Sequence, residues 1–350
     1  MNGLKACDII IPVYNKEDLT SNCLKSIEAK THTPYRLILI DNASGPLTMK
    51  FLEEYKITHP DSLLVRNDEN LGWVKAVNQG IELSRAPYIC VMNNDTIIET
   101  DDWLKRMIEV ADSEEDIGLV NPDFADKLRH PPLTKPYIEV DFCRGYCVLI
   151  KRSVVEKIGG FDEAYGFGYY DDDDFSVRAI RAGFRCVKVR DVTVRHLRDS
   201  TFASLFKDDK RIALHEKNKE LFYSRWGRRL KLVFIVTSDK ADSKIAKLVL
   251  DLARKQHVVY LWNTAKSLFI EHINVRERFF PPIFSAVIFS TILFFNKMKN
   301  EDKRYTGIFV DDRDMARVLS KMFKSIHYFD AEKDTHSVIK TIDAAAGVKA

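Results

Sequence analysis

The chain has 350 residues, which is long for one hydrophobic core, so the sequence predicts two domains. Hydrophobic residues make up 45% and charged residues 30%, a balance that excludes disordered and fibrous proteins. The net charge of +3 is too small to indicate a nucleic-acid partner by itself.

In the first quarter of the chain, short apolar runs alternate with amphipathic segments. Strands are predicted over residues 7–13, 36–40, 63–66 and 88–92, with helices over residues 19–29, 47–55 and 72–84. Strands separated by helices of this length pair in parallel through right-handed crossovers. Near-continuous apolar runs are typical of strands that are covered on both faces. The fold class expected is therefore α/β, with a mostly parallel, Rossmann-like sheet.

Polar residues follow three of these strands, and ligands bind beyond the carboxyl ends of parallel strands. The three positions are Tyr14 with Asn15, Asp41 with Asn42, and Asn93 with Asn94 and Asp95. Further along, residues 121–139 are rich in proline and predicted to be irregular. They are followed by a strand over 142–150, helices over 152–158 and 175–182, and short strands over 186–189 and 192–194.

The alternation restarts after a basic segment at residues 225–229, which predicts a domain of residues 1–228 and a second of residues 229–350. The second has predicted strands at 231–237, 257–262, 286–290, 306–311 and 326–329 and helices at 241–255 and 315–323. This smaller unit is also Rossmann-like. It has no GxGxxG or GxxxxGK[ST] sequence, so we assign it no nucleotide site.

The sequence predicts a cytoplasmic protein. The N-terminus lacks the basic and apolar regions of a signal peptide, and the six cysteines form no CxxC pair, as expected of reduced core thiols. The apolar segment at 279–295 is interrupted by Pro281 and Pro282 and is shorter than a spanning helix. We expect a buried strand there, followed by the start of a helix, with no transmembrane segment.

Acidic side chains are the main candidates for chemistry. Asp95 follows a buried strand, and a hard divalent cation bound to a diphosphate needs one or two protein carboxylates; the alternative is a strand-ending turn. Residues 171–174 are four successive aspartates before the helix predicted from Phe175. Their mutual repulsion calls for a cation or a helix N-terminus. One aspartate suffices for a helix cap, so the surplus favours function over N-capping and solvated charge.

Three further residues have both a functional and a structural interpretation. His196 follows a predicted strand and is either a metal ligand or a structural histidine. Asp41 can accept a hydrogen bond from the imide N–H of uracil or thymine, or form a local turn with Ser44. Gly72 permits close backbone approach at a helix start, which favours an anionic phosphate.

Seven segments in fixed order give a resemblance that is more specific than any of them alone. They are residues 9–19, 37–44, 70–81, 91–96, 145–165, 169–185 and 192–201. Over about residues 5–205 the chain resembles the family 2 glycosyltransferases of the GT-A fold, which are inverting enzymes. The resemblance does not extend to the C-terminal unit.

The resemblance implies a role for each matching position. It implies a nucleotide-sugar donor, UDP- or dTDP-linked, and a divalent metal, Mn²⁺ or Mg²⁺. Pro12, Tyr14 and Asp41 would frame the base, Lys75 would lie on a helix that lines the donor pocket, and Asn94 would meet the ribose. Asp95 would bind the metal with help from His196, and Asp172 would be the general base.

Two positions depart from the family pattern. Asn93 stands where the metal motif usually begins with aspartate, although many relatives carry Asn-x-Asp. Asp171 stands where the family has the glutamate of its Glu-Asp pair, so Asp171 or Asp173 remains an alternative base. The following Asp174 and Phe175 match the family and favour Asp172.

The function expected is transfer of a sugar to an acceptor hydroxyl, with a glycan as the acceptor. Alternatives are transfer to a modified nucleic acid, suggested by Arg225, Arg228, Arg229 and Lys231, and a non-catalytic module that binds nucleotide sugars or glycans. The same basic cluster would suit peripheral contact with anionic lipid. A sugar-1-phosphate nucleotidyltransferase is disfavoured because Tyr14, Asn15 and Lys16 replace the glycine-rich loop that it would need.

Overall fold

A computed structural model describes residues 6–123, 134–197, 208–238, 242–265, 268–282, 285–300, 303–323, 325–330 and 332–348. The chain divides into two compact units, Met1–Glu220 and Leu221–Ala350, each of which we describe by itself. The predicted division after residue 228 stays a prediction.

The first unit is built on four parallel strands, β1 to β4, in the order β3-β2-β1-β4. They are Cys7–Val13, Tyr35–Asp41, Leu63–Arg66 and Tyr88–Met92. Every residue of β1 is buried, as its apolar run predicts for a central strand. These four predicted strands are confirmed.

Helices α1 Glu17–Lys30, α2 Pro46–Thr58 and α3 Trp73–Leu83 connect these strands, as predicted. Helix α3 packs closely on the sheet through Gly80. A Cβ atom at Gly80 would lie 2.3 Å from Cγ2 of Ile10, so a larger residue there would push the helix away from β1. The close approach fixes where α3 begins and thus the position of its N-terminal residues at the carboxyl edge of the sheet.

The sheet continues from β4 in the order β8-β6-β9-β5, and β7 pairs with β9. These strands are β5 Thr96–Ile98, β6 Ile117–Asp123, β7 Tyr137–Val140, β8 Cys147–Lys151 and β9 Arg185–His196, with helix α4 Trp103–Ser113 before β6. Because β8 runs antiparallel to β4 and β6, the sheet is mixed, with nine strands among the described residues. The predicted α/β class is confirmed.

Three predictions in this region are wrong in detail. Residues 137–140, predicted to be irregular, form β7, whereas residues 124–133 of the same prediction lie outside the described residues. Strand β8 begins at Cys147 rather than at 142, because the backbone N–H groups of Cys143 and Gly145 bond to side chains instead of a neighbouring strand. The two strands predicted at 186–189 and 192–194 are one strand, β9.

Helix α5 Arg152–Ile158 and a 3₁₀ turn Glu163–Tyr165 lead to helix α6 Asp171–Arg181. The prediction that α6 begins at Phe175 is wrong, because the N–H group of Asp174 already donates to the carbonyl of Tyr170 at 2.9 Å. The four aspartates therefore form the first turn, where carboxylates interact favourably with free N–H groups. Helix α7, Asp208–Trp226, follows.

The second unit has five parallel strands among its described residues, in the order β12-β11-β10-β13-β14. Its strands are β10 Lys231–Val236, β11 Val258–Asn263, β12 Val275–Phe279, β13 Gly307–Val310 and β14 Ile326–Tyr328. Its helices are α8 Asp242–Arg254, α9 Ser285–Lys297, α10 Arg313–Ser320 and α11 Thr335–Ala346.

The strand predicted at 286–290 is wrong, because these residues lie in α9. The buried residues Phe289, Leu293 and Asn296 recur at helical spacing, which a continuous apolar run in the sequence conceals. The strand preceding it is β12, which the sequence did not predict. Within the part of the chain that is described, no helix combines the length and apolar composition needed to cross a membrane.

Two buried histidines, His257 and His272, lie in the second unit. Burial lowers the pKa of His257 to about 4 and that of His272 to about 3. In each ring Nδ1 accepts a backbone N–H, from Leu230 at 3.2 Å and from Asn274 at 3.1 Å respectively. Both imidazoles are therefore neutral in the folded unit.

We expect the second unit to lose stability as the pH falls below about 6.5, the pKa of an unfolded histidine. A lowered folded pKa makes unfolding bind protons, and the loss at His257 alone is on the order of 3 kcal/mol once the pH falls below its folded pKa. Hydrogen exchange of β10 and β11, corrected for intrinsic rates, measures this loss. The variant His257→Gln should be less sensitive to acid. An unchanged acid sensitivity in that variant would contradict the assignment.

Candidate active site

Residues at the ends of β1 and β2 lie next to one another at the carboxyl edge of the first sheet. Tyr14 follows β1 and is half-buried, and Asp41 ends β2 opposite Val13 of β1. The buried Pro12 lies in β1 opposite Ile40. This edge is where the sequence predicted a ligand site.

Asp41 is 2% exposed, and each of its carboxylate oxygens has a partner. Oδ1 accepts the backbone N–H of Ser44 at 2.9 Å, the local turn considered as the alternative for this residue. Oδ2 pairs with Arg66, which lies opposite Asp41 in the β2–β3 register. No site prediction from the sequence included Arg66, although its place at the end of the neighbouring strand is a usable signal. The Arg66 guanidinium balances the negative charge of the buried Asp41 carboxylate at the predicted base pocket.

A second network joins the loop after β2 to the start of α3. The amide of Asn42 donates to Asn70 Oδ1 at 2.8 Å and to the carbonyl of Gly72 at 3.2 Å. Gly72 has a φ of 83° and precedes α3, and a Cβ atom there would lie 3.1 Å from Cα of Phe167. A side chain at Gly72 would thus meet both strain and a clash. Lys75, one turn into α3, is exposed.

Asp95 and His196 are brought together by the antiparallel pairing of β5 and β9. Thr96 lies opposite His196 in that register, so Asp95 comes directly before the paired residue. Asp95 is 4% exposed, and its Oδ1 lies 3.1 Å from Nε2 of His196. The neighbouring Asn94 is also buried, and its amide donates to Thr20 Oγ1 at 3.0 Å.

Asn93 orients the imidazole of His196 from the other side. The Trp73 indole can donate but not accept, and its Nε1 lies 2.9 Å from Oδ1 of Asn93. The amide nitrogen of Asn93 must therefore face His196, where it lies 3.2 Å from Nε2. The same atom lies 3.1 Å from Oδ1 of Asp95, so Nε2 stands between an amide nitrogen and a carboxylate oxygen. No site prediction from the sequence included Trp73, because nothing in the residues around it indicates a contact with Asn93.

The donor set fits a hard divalent cation. Mg²⁺ binds its ligands at about 2.1 Å in octahedral geometry, so adjacent ligands lie about 3.0 Å apart. The 3.1 Å between Asp95 Oδ1 and His196 Nε2 matches that spacing. Among the residues with a described position, no three His, Cys, Asp or Glu side chains form a metal-binding group. Asp95 and His196 would suit the kind of site in which phosphate oxygens and water complete the shell.

Asp172 lies at the other end of a short series of contacts. Its Oδ2 accepts the N–H of Gly145 at 3.0 Å. A Cβ atom at Gly145 would lie 2.9 Å from the Trp73 ring and 3.7 Å from Cβ of Asp172. Asp172 is therefore connected to His196 and Asp95 through Gly145, Trp73 and Asn93. The structure brings the predicted base and the two predicted metal ligands to one region.

The four aspartates of α6 differ in their electrostatic surroundings. Asp174 is fully buried and forms an ion pair with Arg178 at 2.8 Å, so it has a structural role. Burial raises the pKa of Asp171 well above its ordinary range, and the charge of Asp172 adds to this. Burial also raises the pKa of Asp172, against the N–H groups of Gly145 and Asp173, which lower it.

Comparison with known sequences places the site in a family. The model described as glycosyl transferase family 2 matches residues 8–159, and that described as glycosyltransferase-like family 2 matches residues 128–213. The chain belongs to the family 2 glycosyltransferases. The matched residues include every candidate site residue, from Pro12 to His196.

Two curated relatives of this glycosyltransferase are glycosyltransferase AglE of Haloferax volcanii and poly(ribitol-phosphate) beta-glucosyltransferase of Bacillus spizizenii. AglE is 22% identical over 202 residues, 54% of this chain and 66% of AglE. The Bacillus protein is 30% identical over 114 residues, 32% of this chain and 18% of that protein. The chain thus spans less than two thirds of the length of each.

A solved structure supports the fold. The crystal structure of GalNAc-T7 with UDP, GalNAc and Mn²⁺ matches with a TM-score of 0.51 and 14% identity, over 64% of this chain and 51% of that one. At this identity the likeness concerns the fold alone. It agrees with the GT-A architecture that the sequence implied.

We expect Trp73→Phe to weaken Mn²⁺ binding by the glycosyltransferase about tenfold, because it removes the donor that holds the Asn93 amide toward His196. Electron paramagnetic resonance of free Mn²⁺ measures the affinity, with a nucleoside diphosphate present.

The matched control is Trp103→Phe. Trp103 is buried and donates to Thr31 Oγ1 at 2.8 Å, so this variant loses an equivalent hydrogen bond. It should retain Mn²⁺ affinity. Equal affinities in the two variants would show that Trp73 does not orient the metal site.

Proposed function

We propose that this glycosyltransferase moves a sugar from a UDP- or dTDP-sugar to an acceptor hydroxyl, with inversion at the anomeric carbon. The series of contacts from Asp172 to Asp95 and His196 carries the proposal. It joins a half-buried carboxylate with a raised pKa to a pair of metal-type ligands. These two parts are what a displacement at a sugar–diphosphate bond requires.

The donor is held in the proposal by the strand-end residues. Pro12 and Tyr14 flank the base, and Asp41 accepts its imide N–H. Each carboxylate oxygen of Asp41 has a second lone pair beyond those used by Ser44 and Arg66, which supports this role. Asn94 meets the ribose.

The phosphates lie near the start of α3 in the proposal. Gly72 leaves room for close approach of the backbone, and the helix N-terminus favours negative charge. Lys75 is exposed on the same helix and supplies a cationic side chain.

Asp95 and His196 would hold a divalent cation, Mn²⁺ or Mg²⁺, together with the diphosphate. When bound, the cation supplies charge stabilisation to the departing nucleoside diphosphate. A carboxylate and an imidazole are ligands that suit Mn²⁺. The Asn93 side chain lies 3.2 Å from Nε2 of His196 and would hold the ring in place until the cation replaces this contact.

Asp172 takes the proton of the acceptor hydroxyl as its oxygen attacks the anomeric carbon from the face opposite the diphosphate. The new bond to the acceptor forms as the sugar–phosphate bond breaks, and the nucleoside diphosphate leaves with the electron pair. A single displacement inverts the anomeric carbon. The raised pKa of Asp172 makes it a stronger base than an exposed aspartate.

A glycan is the proposed acceptor class. The name of the Bacillus relative, poly(ribitol-phosphate) beta-glucosyltransferase, supports a polymeric, hydroxyl-rich acceptor. In the basic cluster that suggested a nucleic acid, Arg229 has an internal partner, because its guanidinium donates to the side chain of Asn274.

We expect Asp172→Asn to lower kcat by about 10²–10⁴-fold with nearly unchanged donor affinity, because the amide cannot take the proton. Release of UDP or dTDP from a panel of nucleotide sugars with Mn²⁺ and candidate glycans measures kcat. The control Asp173→Asn tests the register of the aspartates and should retain activity. Activity lost in Asp173→Asn and kept in Asp172→Asn would transfer the role of the base to Asp173.

We also expect kcat/KM to fall as the pH is lowered. The midpoint of this fall should lie above the pKa of an ordinary aspartate, which is about 3.9. Activity needs the ionised carboxylate, so it is lost as the pH falls through the raised pKa of Asp172. The pH–rate profile measures this, with melting curves at each pH as the control for folding. A fall that begins only near pH 4 would contradict the assignment.

A further inference from the structure

The loop before α6 has an unusual backbone. Tyr169 and Tyr170 are consecutive non-glycine residues with φ of 70° and 65°, in the left-handed region. Gly166 and Gly168 also have positive φ values. Such a conformation persists where surrounding contacts hold it. This loop ends one residue before α6 and two residues before Asp172.

Helix α6 depends on this loop for its position. Tyr170 is the N-cap residue of α6 and makes no side-chain capping bond. The carbonyl of Tyr170 accepts the first helical hydrogen bond, from Asp174. Any movement of Tyr170 therefore moves the first turn of α6, which carries Asp172.

The side chain of Asn218 in α7 binds the backbone of the loop. Its side-chain nitrogen donates to the carbonyls of Tyr165 at 2.8 Å, Gly168 at 2.7 Å and Tyr169 at 3.2 Å. The residue is 0% exposed, and no donor in the described residues reaches its Oδ1. A flipped amide would direct its oxygen at three carbonyl oxygens, so this orientation is the favourable one.

A ring on the same face of α7 contacts two aromatic rings of the loop. His215 lies three residues before Asn218, which places both on one side of α7. Its ring meets the Tyr169 ring edge-on at 5.3 Å between centroids and the Tyr170 ring at 5.4 Å. On the opposite side, the Tyr165 hydroxyl donates to Asp174 at 3.2 Å, which joins the loop to α6. Helix α7 and helix α6 thus hold the loop between them.

We infer that Asn218 is a positioning residue for Asp172, which fixes the loop of residues 165–170 and thereby aims the carboxylate at the acceptor hydroxyl. The inference rests on the proposed function for the catalytic consequence, and on the geometry alone for the order of the loop. It assigns to α7, which contributes no predicted site residue, a role in the transfer step.

The test compares Asn218→Leu, which keeps the branched shape and removes the donors, with Asn218→Ser, which keeps one donor on a shorter side chain. We expect kcat to fall about ten- to a hundredfold in Asn218→Leu, with donor KM changed less than about threefold. Asn218→Ser should lie between this variant and the wild type. The acidic side of the pH–rate profile should also shift in Asn218→Leu, because a loosened turn changes the burial of Asp172.

The matched control is Asn274→Leu in the second unit. Asn274 is also buried, and its side chain donates to the carbonyl of Ala253 at 3.4 Å. This variant should lose stability and keep kcat, KM and the pH profile. If kcat fell as far in Asn274→Leu as in Asn218→Leu, the inference would be overturned, because general destabilisation would explain both results.

Hydrogen exchange tests the order of the loop separately from its effect on sugar transfer. Amides of residues 166–172 should exchange faster in Asn218→Leu, and in Asn218→Ser if the leucine variant does not fold, but not in Asn274→Leu. Unchanged exchange there overturns the inference whether or not the enzyme is active. A wild type that transfers no sugar, with faster exchange in the variant, refutes the proposed function and leaves the positioning of the loop supported.

Discussion

The antiparallel pairing of β5 with β9 is the constraint on which the site depends. It sets Thr96 opposite His196, so that Asn93 and Asp95 contact this histidine. Asn93 and His196 are 103 residues apart in the chain. Because backbone hydrogen bonds fix this register, a slip by one residue would turn His196 to the other face of the sheet. The Trp73 indole then selects the orientation of Asn93, and its ring contacts Gly145 beside Asp172.

The pKa values of buried and half-buried carboxylates in the first unit shift in opposite directions, according to their partners. Asp8 is buried, yet the Arg36 guanidinium and the N–H groups of Arg85 and Ala86 outweigh burial and lower its pKa. Burial prevails at Asp171 and Asp172, whose pKa values are raised. The first kind of carboxylate stabilises the fold in its ionised form. The second kind retains an affinity for protons, and this is the property that a general base uses.

The second unit is also an α/β unit, built on a parallel sheet among its described residues. Its sheet begins with the central strand β10 and extends to both sides, through β11 and β12 and through β13 and β14. Its apolar residues form two clusters, one on each face of the sheet, around Phe234 and Trp262 respectively. Its buried neutral histidines link its stability to pH, a property separate from the chemistry of the first unit.

The sequence by itself determined the parallel core and the edge of the sheet at which a ligand site is predicted. Runs such as residues 7–13 and 88–92 are apolar at nearly every position, which is a local property, and the polar residues that follow them are local too. Tertiary structure decided the start of α6, the start of β8 and the helical state of residues 286–290. It also decided the partnerships of Trp73 with Asn93 and of Asn218 with the loop before α6. These features depend on hydrogen bonds and packing between residues far apart in the chain, and no periodicity within a short segment records them.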